Sequence, residues 1–508
     1  MYLCVCKKNL CVLCTYVFAK NRVPIKPTMN RTFSLNLLFL IAVNLLIKPF
    51  FIFGIDRTVQ NQVGAETYGM YAVLTDLAFL SMIINDFGIQ SFNNRLIAQS
   101  PKLLNKYFPI IFVLKLCLCG LYAFITFGLF FVLNYEPKYF KLIFLLTLNS
   151  VLNSLILYFR SCIAGLGWYR TDSWFSVLDK FCLVLFASVL LWMPFFAPHF
   201  EITYFVYAQT LSLMIAVTIG FQWIIIEIEV LKFKFNPKIL WVILRHSYPY
   251  ALTVLLMTLA TKTDKMLIER LLPDGKAQAG MYAAAYRLYD AANIIGFLFA
   301  GLLLPMFAKR LKARETVHDL LKLSSDWIWA GSIAGAMAIL PFRQAIMVLL
   351  YPNCSASAGD ILGLLMFAFV ATALGSYIYG ALLTAGGFLI ELSRIFLIIF
   401  LLNIVLNFIL IPTYQGVGAA MAAVITQSVA LVAQIVLAKK LLKLPMDTIR
   451  FAKYILYAIL LCIIAFGIPQ ILPNLDWRLQ ASAIFVISIF LSSIFGFLNI
   501  SSAMSLKS

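Results

Sequence analysis

Charge is scarce in this chain: Asp, Glu, Lys and Arg make up 12% of its 508 residues, where ordinary soluble domains carry roughly 25%. Histidine is scarcer still. The three present, His199, His246 and His318, fall at loops or helix ends, so a histidine-based catalytic or metal centre has little material to work with. No glycine-rich Walker sequence occurs, which excludes ATP bound to this chain as the driving force. Asp86-Phe87-Gly88 matches the magnesium motif of protein kinases, yet neither a nucleotide loop nor a catalytic loop accompanies it. Long polar loops are missing too, with none above about 20 residues, leaving little room to house the chemistry of a membrane glycosyltransferase or polymerase.

What the chain has in excess is apolar side chain, 63% of residues, with a mean hydropathy of +0.94. The fold class is therefore an all-α polytopic membrane protein. At roughly 20 residues per crossing, the apolar blocks predict fourteen helices, near 33–55, 68–92, 107–133, 140–165, 174–197, 203–227, 247–272, 280–307, 324–350, 358–384, 391–412, 417–438, 452–472 and 479–500.

Residues 1–28 stand apart. Cys4, Cys6, Cys11 and Cys14 cluster among Lys7, Lys8, Lys20, Arg22 and Lys26, in an apolar run too short and interrupted to span. Thiolates at such spacing hold zinc elsewhere, but no His or Asp joins them, and no small-residue cleavage site follows. The expectation is a start at Met29, whose short basic lead runs directly into a helix, with 1–28 a cytoplasmic tail or untranslated. The other six cysteines are scattered and imply no disulfide framework.

The net charge of +19 suggests nucleic acid in a soluble chain, but its distribution argues otherwise. With a cytoplasmic N-terminus, the tails and the loops after even-numbered helices hold 28 of the 40 Lys and Arg, and the opposite loops hold six. The remaining six, Lys48, Lys115, Lys262, Lys265, Arg287 and Arg343, lie within spans. This is the positive-inside pattern, which places both termini in the cytoplasm and requires no nucleic acid.

An internal repeat is visible. Gly69-Met70-Tyr71-Ala72 opens the second helix and Gly280-Met281-Tyr282-Ala283 the eighth, each after a short glycine-containing loop. Ala164-Gly165 and Ala385-Gly386 form a weaker echo at the ends of the fourth and tenth. Both set helices one to six against seven to twelve, a parallel repeat about an axis along the membrane normal.

The stretch Val63-Gly64-Ala65-Glu66-Thr67-Tyr68-Gly69-Met70-Tyr71, followed by Asp86-Phe87-Gly88 and Asn94-Arg95, resembles the N-terminal signature of Wzx-type O-antigen and polysaccharide flippases. Thr263-Asp264-Lys265 and Ala279 to Leu288 resemble its second signature. The likeness runs from about Met29 over most of the chain, in helix count and loop lengths. It implies the multidrug/oligosaccharidyl-lipid/polysaccharide exporter fold: bundles over 29–230 and 231–445 around a central cavity, with two additional helices and a tail in 446–508. The implied activity is translocation of an undecaprenyl-pyrophosphate-linked oligosaccharide across the bacterial cytoplasmic membrane for O-antigen, lipopolysaccharide or other polysaccharide synthesis. It implies no enzyme chemistry and no cofactor. Beyond lipid-linked oligosaccharide and membrane lipid, a polysaccharide polymerase and chain-length proteins are the candidate partners. An ion-coupled multidrug antiporter or a lipid II flippase of the same superfamily remains an alternative.

Charge inside a bilayer is costly and marks a polar path, and cations suit a pyrophosphate. The substrate-binding candidates are Lys48, Lys262, Lys265 and Arg287; the carboxylates that suggest ion coupling are Asp86, Asp264 and Asp290. Lys262, Lys265 and Glu269 are spaced to share one helix face, with Asp264 off it, and Arg287 and Asp290 are spaced to pair. Lys48 beside Pro49 is the counterpart in the first half. Ordinary roles compete with these: Lys115 is expected to snorkel, Arg343 to sit at the interface, Arg160 and Arg394 to anchor the cytoplasmic mouth, and most tyrosines to face lipid, core or the interfacial belt.

Overall fold

The computed structural model describes residues 47, 49–90, 93, 96–97, 103–228, 237–352, 357–444 and 447–497. Among these residues there is no strand, and the helices make fourteen segments. They are α1 (Phe51–Asp56, a π-helical turn, running into Arg57–Val63), α2 (Ala65–Leu80 and Met82–Asp86), α3 (Leu103–Val132), α4 (Phe140–Gly165), α5 (Tyr169–Trp192) and α6 (Ile202–Glu227). There follow α7 (Pro237–Lys262 and Asp264–Leu271), α8 (Gly275–Ala313), α9 (His318–Ile339 and Arg343–Leu350) and α10 (Ser357–Leu374 to Ala381–Ala385, with a π-helical turn between). The run Leu389–Leu442 holds both α11 and α12, divided where Gln415 leaves helical geometry at φ 56°. α13 (Thr448–Ile471) and α14 (Trp477–Ile494) complete the set.

Among the described residues, ten helical runs are long and apolar enough to cross a membrane. Phe124, 76% exposed, and Ile226, 82% exposed, typify an exterior suited to lipid rather than water. Each expected helix overlaps a described one, the first only from residue 47 since 33–46 lie outside the described residues, and ends shift: α7 starts at Pro237 rather than near 247, and α8 continues to Ala313. Pro305 lies inside unbroken α8, whereas Pro341 sits in the 3-10 turn that divides α9.

Packing falls into two groups. In the first, α4 packs on α2, α3, α5 and α6; in the second, α10 packs on α8, α9 and the α11–α12 pair. α13 and α14 pack on each other and on α9, where Arg450 and Tyr454 of α13 both engage the buried Asp326 carboxylate. The groups meet chiefly where α2 lies against α8.

The repeat extends to helix ends, in a register one residue away from the expected Ala-Gly echo. After α4, Gly167 (φ 82°) donates to the Ala164 carbonyl and Trp168 to that of Ile163. After α10, Gly387 (φ 81°) donates to the Thr384 carbonyl and Phe388 to that of Leu383. Both are left-handed glycine stops that satisfy the last carbonyls of a helix. The structure therefore equates Gly167 with Gly387.

Candidate functional site

The two copies of Gly-Met-Tyr-Ala face each other. A Cβ on Gly69 would lie 1.9 Å from the Lys276 carbonyl oxygen, and one on Gly280 would lie 1.9 Å from the Ala65 carbonyl oxygen. Each glycine thus meets the carbonyl four residues before the other, so α2 and α8 cross in backbone contact about a local two-fold. Gln60 of α1 donates to the Gly280 carbonyl at 2.9 Å and reinforces the crossing.

This contact lies at the end of the molecule that carries the loops after odd-numbered helices. Further ties between the two groups converge there. Arg57 and Asn61 of α1 donate to the carbonyls of Leu349 and Leu350, the last turn of α9, where donors satisfy exposed C-terminal carbonyls. Lys276 bonds Glu136 at 2.9 Å, and Arg270 donates to the Leu133 carbonyl while stacking on Tyr135, 4.1 Å from its ring centre. Hydrogen bonds from Lys138 and Lys276 hold the Glu136 carboxyl below the usual carboxylate range.

Toward the membrane interior from the crossing lie two ion pairs. Arg287 Nε of α8 is 2.8 Å from Asp56 Oδ2 of α1, and Tyr68 of α2 donates to that same oxygen at 2.7 Å. Lys265 Nζ of α7 is 2.8 Å from Asp76 Oδ2 of α2. Each pair joins the first helix of one group to the second helix of the other. Arg287 follows Asp76 by 211 positions, as Gly280 follows Gly69. Lys265 follows Asp56 by 209, so the pairs occupy matching places, to within two residues, with reversed polarity: both acids belong to the first group and both bases to the second.

The expected Arg287–Asp290 pair does not form. Three residues along a helix is a possible spacing, but Arg287 reaches across the interface to Asp56, which lies at the end of the π-helical turn of α1. Among the described residues Asp290, which is partly buried, makes no hydrogen bond and no ion-pair contact. Lys262 and Lys265 do share a face, and both cap the ring of Tyr286, at 4.7 and 5.0 Å from its centre. Lys262 has no carboxylate partner among the described residues. Glu269 instead pairs with its neighbour Arg270 near the helix end. Lys48 lies outside the described residues, as do Asn94, Arg95 and the cysteine-rich start.

Asp264 is drawn away from the cations. Its carboxylate accepts from Tyr282 at 2.9 Å, Asn407 at 2.9 Å and Asn403 at 3.2 Å, uniting α7, α8 and α11. Thr263 donates to Asn403 Oδ1, and among the described residues the buried Asn407 Oδ1 has no hydrogen-bond partner.

Asp86 lies in a separate cluster, and Lys115 does not snorkel. Lys115 is fully buried and its ammonium contacts Asp86 Oδ1 (2.7 Å), the Asn85 carbonyl (2.9 Å) and Ser154 Oγ (2.7 Å). The cause is the end of α2: Phe87 (φ 48°) and Gly88 (φ 78°) leave the helix, and the ammonium takes up a released carbonyl. Arg343 pairs with Asp360, and Arg160 with Asp172. The interface tyrosines are neither lipid-facing nor belt residues: Tyr68, Tyr282 and Tyr286 are buried beside the charges.

Residues 35–310, more than half of the chain, match the family model described as polysaccharide biosynthesis protein. The chain belongs to that family. No curated protein sequence is significantly similar. Among solved structures, the polysaccharide biosynthesis chain is similar to "Lipid II flippase MurJ, inward closed conformation", with TM-score 0.64 and 16% identity over 91% of this chain and 98% of that one. It is also similar to the inward-facing conformation of a multidrug resistance MATE family transporter of the MOP superfamily, with TM-score 0.56 and 14% identity over 79% and 97% of the two chains. A third is a MOP superfamily transporter from Pyrococcus furiosus, described by the reverse polarity of its binding pocket, with TM-score 0.54 and 16% identity over 80% and 94%. At these identities the likeness establishes the fold alone, a MOP-type transporter fold.

Proposed function

We propose that this protein carries an undecaprenyl-pyrophosphate-linked oligosaccharide from the inner to the outer leaflet of a bacterial cytoplasmic membrane, by alternating access between its two helix groups. The observation that carries this reading is the convergence of Lys262, Lys265 and Arg287 beside Tyr286 and Tyr68 at the interface between the groups. Lipid tails cross hydrocarbon at no cost, but a pyrophosphate and a glycan do not. Cations answer the phosphates, and tyrosines offer faces and hydroxyls to sugars. Membership of the polysaccharide biosynthesis family supports a glycan cargo. The basic loops orient the odd-loop end outward and both termini inward, so the α2–α8 crossing closes the outer end. The bundle limits near residues 230 and 445 belong to the same proposal.

Of the three candidate coupling carboxylates, Asp264 is the best placed for a proton or sodium ion, because among the described residues it forms no ion pair and is held by the neutral donors Tyr282, Asn403 and Asn407. Asp86 is already matched by Lys115.

The test is a deletion strain. Lipid-linked oligosaccharide should accumulate in the inner leaflet and surface polysaccharide should disappear, both restored by the intact chain and not by Arg287→Gln at equal membrane abundance. Normal surface glycan with altered drug tolerance would move the protein to the antiporters. A block in peptidoglycan synthesis with intact surface glycan would make lipid II the cargo.

A further inference from the structure

The two crossed ion pairs bear on how the outer end opens. Arg287 and Lys265, offered above as substrate cations, are both spoken for here, by carboxylates from the opposite helix group. Lys262 is the exception. It stands beside Lys265 on the Tyr286 ring with no acid partner among the described residues. Across the interface the second group thus sets three cations against the two carboxylates of the first, with its own Asp264 and Asp290 close by, and Lys262 adjoins one of the ties. The first tie is not saturated: among the described residues the buried Asp56 Oδ1 has no hydrogen-bond partner.

We propose that a pyrophosphate head group unlocks the outer end by taking these cations from Asp56 and Asp76. This rests on the flippase reading above. The anion first meets Lys262, then bridges to Lys265 and Arg287, offering more charge and more acceptor oxygens than the carboxylates it replaces. Asp56 and Asp76, now buried without counter-charge, are strongly disfavoured in a dry interface. They regain solvation only when the first group swings away, and with them goes the backbone contact of Gly69 and Gly280. Binding thus favours the outward-open state because the closed state uses the same cations to hold itself shut, which is the differential affinity any ligand-driven shift requires.

The experiment uses the full chain in proteoliposomes with a reporter cysteine, Ala283→Cys, buried at the crossing. A membrane-impermeant maleimide is added from outside, and the labelling of the chain without the reporter is subtracted. Farnesyl pyrophosphate is the probe and farnesol its uncharged control. The reporter chain should label slowly, and farnesyl pyrophosphate should accelerate labelling about fivefold or more while farnesol does not. With Asp56→Asn and Asp76→Asn together, labelling should be fast without any ligand. Asp56→Glu with Asp76→Glu should restore slow labelling and the response, showing that the carboxylate charge and not folding is being read. Labelling of the Asn variant at the parent rate overturns the proposal, as does equal acceleration by farnesol. Translocation of lipid-linked oligosaccharide is scored separately: intact translocation without the pyrophosphate response rejects the unlocking and leaves the flippase reading standing.

Discussion

Gly69→Ala should open the outer end, by an amount that the crossing itself sets. The added methyl carbon would start 1.9 Å from the Lys276 carbonyl oxygen and, at 2.6 Å, almost as close to the Gly280 nitrogen. Both are backbone atoms of a helix, so no side chain can swing aside. Carbon and carbonyl oxygen rest at about 3.3 Å or more, so α2 and α8 must part by roughly 1.4 Å. Overpacking of this kind costs about 1–3 kcal/mol, and because the cost falls on the closed state alone, the closed-to-open ratio should drop by about 5–150-fold. Gly280→Ala should match it, since its methyl meets the Ala65 oxygen at the same 1.9 Å. The double variant should fall short of the sum, because parting the helices for one methyl makes room for the other. Closure is measured by bridging cysteines at positions 136 and 276, which replace a pair now in contact at 2.9 Å, with a short bis-maleimide. Gly301→Ala, in the same helix but with nothing within 4 Å of its new methyl, is the control. Unchanged bridging in Gly69→Ala, or an equal loss in Gly301→Ala, would refute the crossing as the closure.

Lys115→Met should lower stability by about 3–5 kcal/mol, the cost of stranding one partner of a buried pair. Thermal unfolding in micelles measures this, and adding Asp86→Asn should recover part of the loss. Arg450→Ala strands Asp326 between α9 and α13 and should destabilise by a similar amount, read as faster proteolysis after α12. The Glu136–Lys276 tie has a defined acid limit. Because its partners depress the Glu136 pKa in the folded protein, the tie is fully present above the unfolded value of about 4.3. It is lost only as pH falls through the lower folded value. Spin labels at Asn134 and Asp274 should therefore keep their separation from pH 8 down to about 4.3 and part below it; parting at pH 6 would contradict the assignment. Asp264→Asn should leave the fold intact, since Tyr282 and the two asparagines can bond an amide, while flux loses its dependence on an imposed proton or sodium gradient; flux that keeps that dependence removes Asp264 from coupling.

Much of the scaffold was legible because hydropathy and loop charge are properties of segments, and segments of twenty residues average out local exceptions. The site was legible only as a set of charges. Arg287 was matched to Asp290 because helix spacing is local information, whereas its partner Asp56 is 231 positions away and brought near by the crossing of two helix groups. Lys115 looked peripheral because it stands early in an apolar run; what pulls it inward is the broken end of α2, a backbone event that Phe87 does not advertise. Asp56 and Asp76 escaped notice altogether. One signal for Asp76 was present: the shared spacing of 211 positions that relates Gly69 to Gly280 also relates Asp76 to Arg287. Reading the repeat past its four matching letters would have found an acid opposite a base.

That reversal of sign makes the two halves obligate mates. A pair of first halves docked through the same two-fold would set Asp56 against Asp76 twice, and a pair of second halves would set Lys265 against Arg287 twice. Either self-pairing buries like charges face to face at two places, while the mixed pairing neutralises both, which is how heterodimeric coiled coils reject their own kind. A sequence descended from a doubled gene would in this way have lost the ability to revert to a symmetric dimer. If the two halves are expressed as separate polypeptides, function should return only when both are present, and neither half should copurify with another copy of itself.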